Sequence, residues 1–353
     1  MADKGADRRR WMLDAVERQA HVVDALVDQA HRSPDPADAC LHWLGAERQA
    51  QRYLRNARPR PAIAERLTEH RAALGDASDL AQSHLAEADA AVVAAARSRL
   101  GLRIAVVGKG GAGKSLISGT LARLLARRGR RVLAADLDTN PGLAFSLGVP
   151  ATEGALPPAV LEEHPGASYG WRLRSGVTPA EAVEAHALAA PDGVRFMSLG
   201  KLGDPKWGAT QGPRDTVVAM RELIAGFGEP GWDVIGDQEA GPTTPFERYH
   251  AFAEQVAIVV TPTWVSAMTA RRLLPMVDDV DTVFVGNQFR DEPDHPGMTP
   301  LVRIPIDPAV ADAERRGLAP LDACPDSPTI AAIARLADTL TNQEVTCSPS
   351  SPA

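Results

Sequence analysis

The eight residues Gly108-Lys109-Gly110-Gly111-Ala112-Gly113-Lys114-Ser115 constrain the fold more than any other part of this 353-residue chain. They follow the apolar run Leu102-Arg103-Ile104-Ala105-Val106-Val107 and open a helix-forming stretch from Lys114 to Arg128. A buried strand, a glycine-rich turn and a helix, in that order, aim backbone N–H groups and the positive end of a helix at one point, where an anion can sit. Glycines are required because a side chain would hold the backbone away from the phosphates. Lys114 then reaches the β- and γ-phosphates, the Ser115 hydroxyl binds Mg2+, and the first helical turn carries the contacts on to Leu116. The spacing therefore predicts ATP and Mg2+ as ligands.

Short apolar runs recur after the loop, at 131–135, 194–199, 233–235, 256–261, 282–285 and 301–304, with helical stretches at 114–128, 179–189, 215–225 and 267–277 between them. Strand alternating with helix predicts an α/β fold, a doubly wound and mainly parallel sheet. A last helix is expected over 327–340, opened by Ser327-Pro328, followed by a disordered tail over 342–353.

Residues 7–99 read differently. They are rich in Ala, Arg, Leu, Asp and Glu, and Met12, Val16, Val23 and Val27 recur at helical spacing. An all-α domain over 1–100 is expected, broken at Ser33-Pro34-Asp35-Pro36, at Pro59-Arg60-Pro61 and at Gly75 into about four helices. The P-loop domain then occupies 101–341. A four-helix arrangement and a long helical arm both fit the first hundred residues.

Net charge of −7 argues against a protein that coats nucleic acid with its whole surface. Cys40, Cys324 and Cys347 form no closely spaced pair, so a disulfide framework is not expected. No stretch approaches the length of a membrane span and the N-terminus lacks a signal-peptide core, so a cytoplasmic protein is expected.

Acids fall where a nucleotide site needs them. The second strand runs into Asp136-Leu137-Asp138-Thr139-Asn140-Pro141, and a later one delivers Asp237 before Gln238-Glu239-Ala240-Gly241. An acid at the tip of an apolar strand is the Walker B pattern, which places Asp237 on Mg2+ with Ser115. Carboxylates at the end of the second strand face the same crevice.

Lys109, five positions before Lys114, makes the run KGGAGKS resemble the deviant Walker A loop of the MinD/ParA ATPases. That resemblance covers about residues 102–340. It implies that the chain forms an ATP-dependent homodimer in which Lys109 reaches the partner's phosphates. It also implies that Asp138 orients the attacking water, that Asp136 supports the site, and that Glu239-Ala240-Gly241 forms a switch. Asn287 matches the adenine-binding asparagine, although a turn residue is an equal reading. Pro305, in Ile304-Pro305-Ile306-Asp307, matches the segment beside the base.

Within the class the chain is most similar to the CooC-like maturation ATPases, and Thr269-Ala270-Arg271-Arg272 also fits them. Their Cys-x-Cys metal site is missing, because Met197-Ser198-Leu199-Gly200-Lys201 is followed by LGDPKWGATQGPR. Two thiolates per subunit are what a shared soft-metal site needs, so the resemblance implies no metal cargo held there. His164, His186, His250 and His295 are too scattered to replace it. The tail has no basic amphipathic helix for membrane attachment.

Arg48, Arg52 and Arg55 share one helical face, followed by Arg58 and Arg60. A solvated face and a docking face for an acidic partner or DNA are both open. The leading expectation is an ATP-hydrolysing dimerisation switch acting on a client protein through residues 1–100, with metalloenzyme maturation as one pathway it could serve. A ParA-like positioning protein that binds DNA in its ATP state is the rival, and a small-molecule ligase or kinase a third reading.

Overall fold

Helices form in the first hundred residues where the sequence supplies caps. In the computed structural model, which describes residues 4–138, 142–149, 156, 158–164, 171–199, 213–241 and 249–346, they are α1 (Lys4–Arg32), α2 (Pro36–Asn56), α3 (Ala64–Glu87) and α4 (Ala90–Arg99). The Asp35 carboxylate accepts from the Ala37 N–H at 3.3 Å, with Pro36 at the first helical position. Asp89 does the same for α4, accepting from Ala91 N at 2.8 Å. Gly75 does not break the helix as expected. It lies inside α3, whose break comes at Ala88-Asp89. A mid-helix glycine costs only about 1 kcal/mol, less than is gained by burying Leu67, Leu74 and Ala81 along the same helix.

The chain forms two units, and the helical one is not confined to residues 1–100. It comprises Met1–Gly101, Pro157–Ala185 and Arg214–Gly231. The added segments contribute a two-stranded hairpin, β3 (Leu161–Glu163) and β4 (Trp171–Leu173), most of α7 (Pro179–His186), and α8 (Pro213–Gly226). Polar side chains join them to the first four helices. Arg172 donates to Asp14 at 2.6 Å, Arg18 to Glu222 at 2.8 Å, and Gln49 to the Ala225 carbonyl at 3.1 Å. Arg52, expected on an outward face, is instead buried and donates to the same carbonyl. Val16, Val23, Leu26, Leu44 and Tyr53 are among the buried apolar residues of this unit's helices.

The second unit holds the sheet. Its strands are β1 (Arg103–Gly108), β2 (Arg131–Leu137), β5 (Leu188–Ala189), β6 (Arg195–Ser198), β7 (Trp232–Gln238), β8 (Gln255–Val260), β9 (Asp281–Phe289) and β10 (Pro300–Pro305). Among the described residues their order is β10-β9-β8-β1-β7-β2-β6-β5, all parallel except β5 against β6. The helix expected over 179–189 ends at His186, and Leu188–Ala189 becomes that antiparallel edge.

Helix α5 (Lys114–Arg127) buries Ile117, Leu121 and Leu125, at steps of four, against Ile104, Val106, Val132 and Ile235 of the sheet. Further helices are α6 (Leu143–Leu147), α9 (Trp264–Leu273), α10 (Pro308–Arg315), α11 (Pro320–Ala323) and α12 (Pro328–Thr346). The last runs past the expected end at Leu340, because 341–346 contain no proline or glycine to stop it, and so takes in residues 342–346 of the expected tail. Residues 347–353, with Cys347, lie outside the described ones.

Candidate functional site

In a parallel sheet every strand ends on the same edge, and that edge carries the candidate residues. The loop Gly108–Gly113 leaves the tip of β1, between β7 and β8. Its path requires glycine at two points. Gly108 (φ +149°) approaches Val259 so closely that a Cβ would stand 2.7 Å from its carbonyl oxygen. Gly113 (φ +90°) faces Asn287, whose amide a Cβ would strike. Asn287 is buried and donates through Nδ2 to the Ala112 carbonyl at 2.7 Å. The expected base-binding asparagine thus holds the phosphate loop in this form.

Lys114 and Ser115 open α5, where the first N–H groups of a helix have no partner within it. Lys114 is buried. The Leu116 side chain belongs to the core, so what it offers a ligand is its backbone N–H. Ser115 Oγ donates to Asp237 Oδ2 at 2.5 Å. Ser118, one turn on, donates to Asp237 Oδ1 at 3.4 Å. Ser118 was not among the expected residues, although its i+3 spacing from Ser115 puts it on the same helix face.

Asp136 and Asp237 are opposite each other on β2 and β7, both fully buried. Asp136 accepts from Leu143 N at 2.9 Å and from Asp138 N at 3.1 Å. Burial, and then the charges of Asp237 and Asp138, push the Asp136 carboxyl well above its ordinary range. Burial likewise pushes Asp237 up to about 6, against the hydrogen bond from Ser115 and the charge of Lys114. Two buried carboxylates facing one hydroxyl and one ammonium form a site short of positive charge. A hydroxyl and a carboxylate are hard oxygen donors, so Ser115 and Asp237 fit Mg2+.

Lys109 is half-buried at the mouth of the loop, and its ammonium donates to the neighbouring Gly110 carbonyl at 3.2 Å. Gly241, in the expected second switch, has φ +86° and donates its N–H to the Gly108 carbonyl at 3.1 Å, tying that segment to the loop. Gly142 was also missed, and a Cβ there would come within 3.2 Å of Ser115 Oγ. Asp138 is half-buried at the end of β2, while 139–141, in the expected first switch, lie outside the described residues. Pro305 ends β10 on the same edge, its carbonyl accepting from Thr329 Oγ1 at 2.8 Å.

Residues 202–212, where the CooC-like proteins would carry their cysteine pair, also lie outside the described residues. Among the described residues no three His, Cys, Asp or Glu side chains gather to hold a metal. His250 sits 3.8 Å from Asp279, and His295 bonds the Thr261 carbonyl at 2.8 Å, each a separate structural contact. Among the described residues no helix is long and apolar enough to cross a membrane.

The model of the CobQ/CobB/MinD/ParA nucleotide binding domain matches residues 104–321, from β1 past Gly241 and Pro305 into α11. The chain belongs to that family. An uncharacterized ATP-binding protein of Methanocaldococcus jannaschii is 28% identical over 203 residues, 54% of this chain and 76% of that protein. The carbon monoxide dehydrogenase accessory protein CooC of Rhodospirillum rubrum is 56% identical over 50 residues, 14% of this chain and 19% of that protein. Among solved structures, the ParA family ATPase from Chlorobium tepidum superposes with a TM-score of 0.51 at 17% identity, covering 67% of this chain and 98% of that one. The family fold thus accounts for the sheet unit, and the helical unit lies largely outside the match.

Proposed function

We propose that this chain is a slow ATP hydrolase that closes as a homodimer around Mg-ATP and uses the closed and open forms to act on a client protein, docked through residues 1–100. The single observation that carries this reading is Lys109, a second lysine at the loop mouth whose ammonium, among the described residues, holds only a neighbouring carbonyl. A cation there is placed for phosphate oxygens across an interface. Trp264 and Val265 add to it. They are 65% and 57% exposed at the start of α9, beyond the tip of β8 on the nucleotide edge, and apolar surface of that size is what a partner copy would cover.

In this reading Lys114 and the N–H groups of the loop bind the β- and γ-phosphates. Ser115 and Asp237 would hold the magnesium ion, which neutralises phosphate charge when bound. Asp138 takes the proton side of the attack by orienting water. Asn287 and Pro305 would line the base. Differential binding of the two nucleotide states drives the cycle. The basic face on which a DNA-binding alternative rested loses its middle member, since Arg52 is buried.

Calorimetry and light scattering test the proposal. Lys114→Ala should abolish ATP binding. Asp138→Ala should bind ATP, hydrolyse it at least about a hundredfold more slowly, as expected for loss of a proton-transfer group, and accumulate as a dimer. Wild-type turnover by Asp138→Ala, or a monomer with ATP bound, would overturn it.

A further inference from the structure

The helical unit carries a cationic cluster that the ATPase site does not use. Gln49, Arg52 and Tyr53 all reach the Ala225 carbonyl, so the second half of α2 lies against the last turn of α8. Arg221 is one turn before Ala225 on α8, while Arg58 and Arg60 follow the end of α2. The end of α2 and this turn of α8 therefore bring the three residues to one part of the helical unit. Arg71 comes to the same end of α2, donating to the Leu54 and Ala57 carbonyls at 3.5 and 3.3 Å.

Among the described residues, three acids of these helices are held by other partners. Glu222 takes Arg18 and the Leu173 N–H, and Glu69 and Glu17 take Arg66. Among the described residues neither Arg58 nor Arg60 has an ion-pair partner. Arg60 is half-buried, and burial first, then the like charges of Arg221 and Arg58, pull its guanidinium below the ordinary arginine range. A partly desolvated cation among cations is costly until an anion arrives. Guanidinium is also weakly hydrated and binds carboxylates in bidentate fashion, which suits these side chains to an incoming acid.

We propose that Arg58 and Arg60, beside the positive charge of Arg221, form a docking site for an acidic, Asp/Glu-rich segment of a partner protein. The proposal rests on the reading that residues 1–100 receive the client, and it names the chemistry of that contact. A protein acid is favoured over DNA because the whole chain carries a net charge of −7, which opposes a polyanion as long and dense as a duplex. Exposed Arg58 forms the rim that steers the segment in, and half-buried Arg60 forms the seat.

The test is fluorescence anisotropy of a labelled oligoglutamate peptide with the full-length protein, at low and physiological salt, with a labelled DNA duplex of random sequence alongside. Wild type should bind the peptide more tightly than the duplex. Arg58→Glu, an exposed change that leaves the fold intact, and Arg60→Gln should each weaken the peptide about tenfold or more. No peptide binding by wild type, unchanged binding by Arg58→Glu, or tighter binding of the duplex would each overturn the proposal. ATP binding and dimerisation measured on the same samples separate the two readings. A protein that cycles ATP but ignores the peptide sinks the docking site alone, whereas failure of the Asp138→Ala trap sinks the switch and leaves the peptide result standing.

Discussion

Gly113 and Gly111 both sit in the left-handed region of the phosphate loop, yet their surroundings differ. A Cβ at Gly113 would meet the Asn287 amide, while one at Gly111 would meet nothing within 4 Å. Gly113→Ala should therefore cost about 2 kcal/mol or more and abolish ATP binding, whereas Gly111→Ala should cost about 1 kcal/mol, the backbone penalty alone. Thermal melts and nucleotide titration of the two variants check the difference. The glycines themselves were legible, because phosphate chemistry dictates their spacing. The clamp by Asn287 was not, since it joins positions 175 residues apart. Ser118 and Gly142 were missed for a similar reason, as each matters only through what it faces across the crevice.

Helix α5 is anchored by a side chain that propensity ignores. Arg123 is 2% exposed, donating to Asp192 at 2.7 Å and to both oxygens of Asp322 on α11 at 2.6 and 2.7 Å. Removing Asp322 leaves a buried guanidinium half-compensated. The Asp322 side chain is 50% exposed and Asp192 remains, so the usual penalty for breaking a buried pair is discounted to about 1–2 kcal/mol for Asp322→Ala. Hydrogen bonds from Arg123 hold the Asp322 carboxyl below the usual carboxylate range. A carboxyl depressed in the folded state stabilises above its unfolded value, near 3.9, and loses that contribution as pH falls through its folded value. The gap in melting temperature between wild type and Asp322→Ala should thus be full at neutral pH and narrow below about pH 4. Most element boundaries were legible from periodicity and caps. The exceptions followed from tertiary contacts, with α3 carried through Gly75 by its buried leucines and Leu188–Ala189 drawn into the sheet edge beside β6.

The division of the whole chain was the least legible feature. Segments 157–185 and 214–231 look like ordinary parts of the strand–helix alternation. They are committed to the helical unit by pairs such as Arg172 with Asp14 and Arg18 with Glu222, 158 and 204 residues apart, for which no local pattern exists. A fragment of residues 1–101 should accordingly lack a cooperative thermal transition, because it leaves Asp14, Arg18, Gln49 and buried Arg52 without their partners; circular dichroism melts against the full chain would show it. The same threading sets an order in time. During synthesis the first hundred residues emerge well before the segment ending at Gly231 that completes their unit. At 5–20 residues per second the wait is on the order of ten seconds. For that interval four helices present unfinished apolar and cationic surface, so the nascent chain passes through a stage in which chaperones and stray acidic proteins compete for it, before any nucleotide site exists to control the outcome.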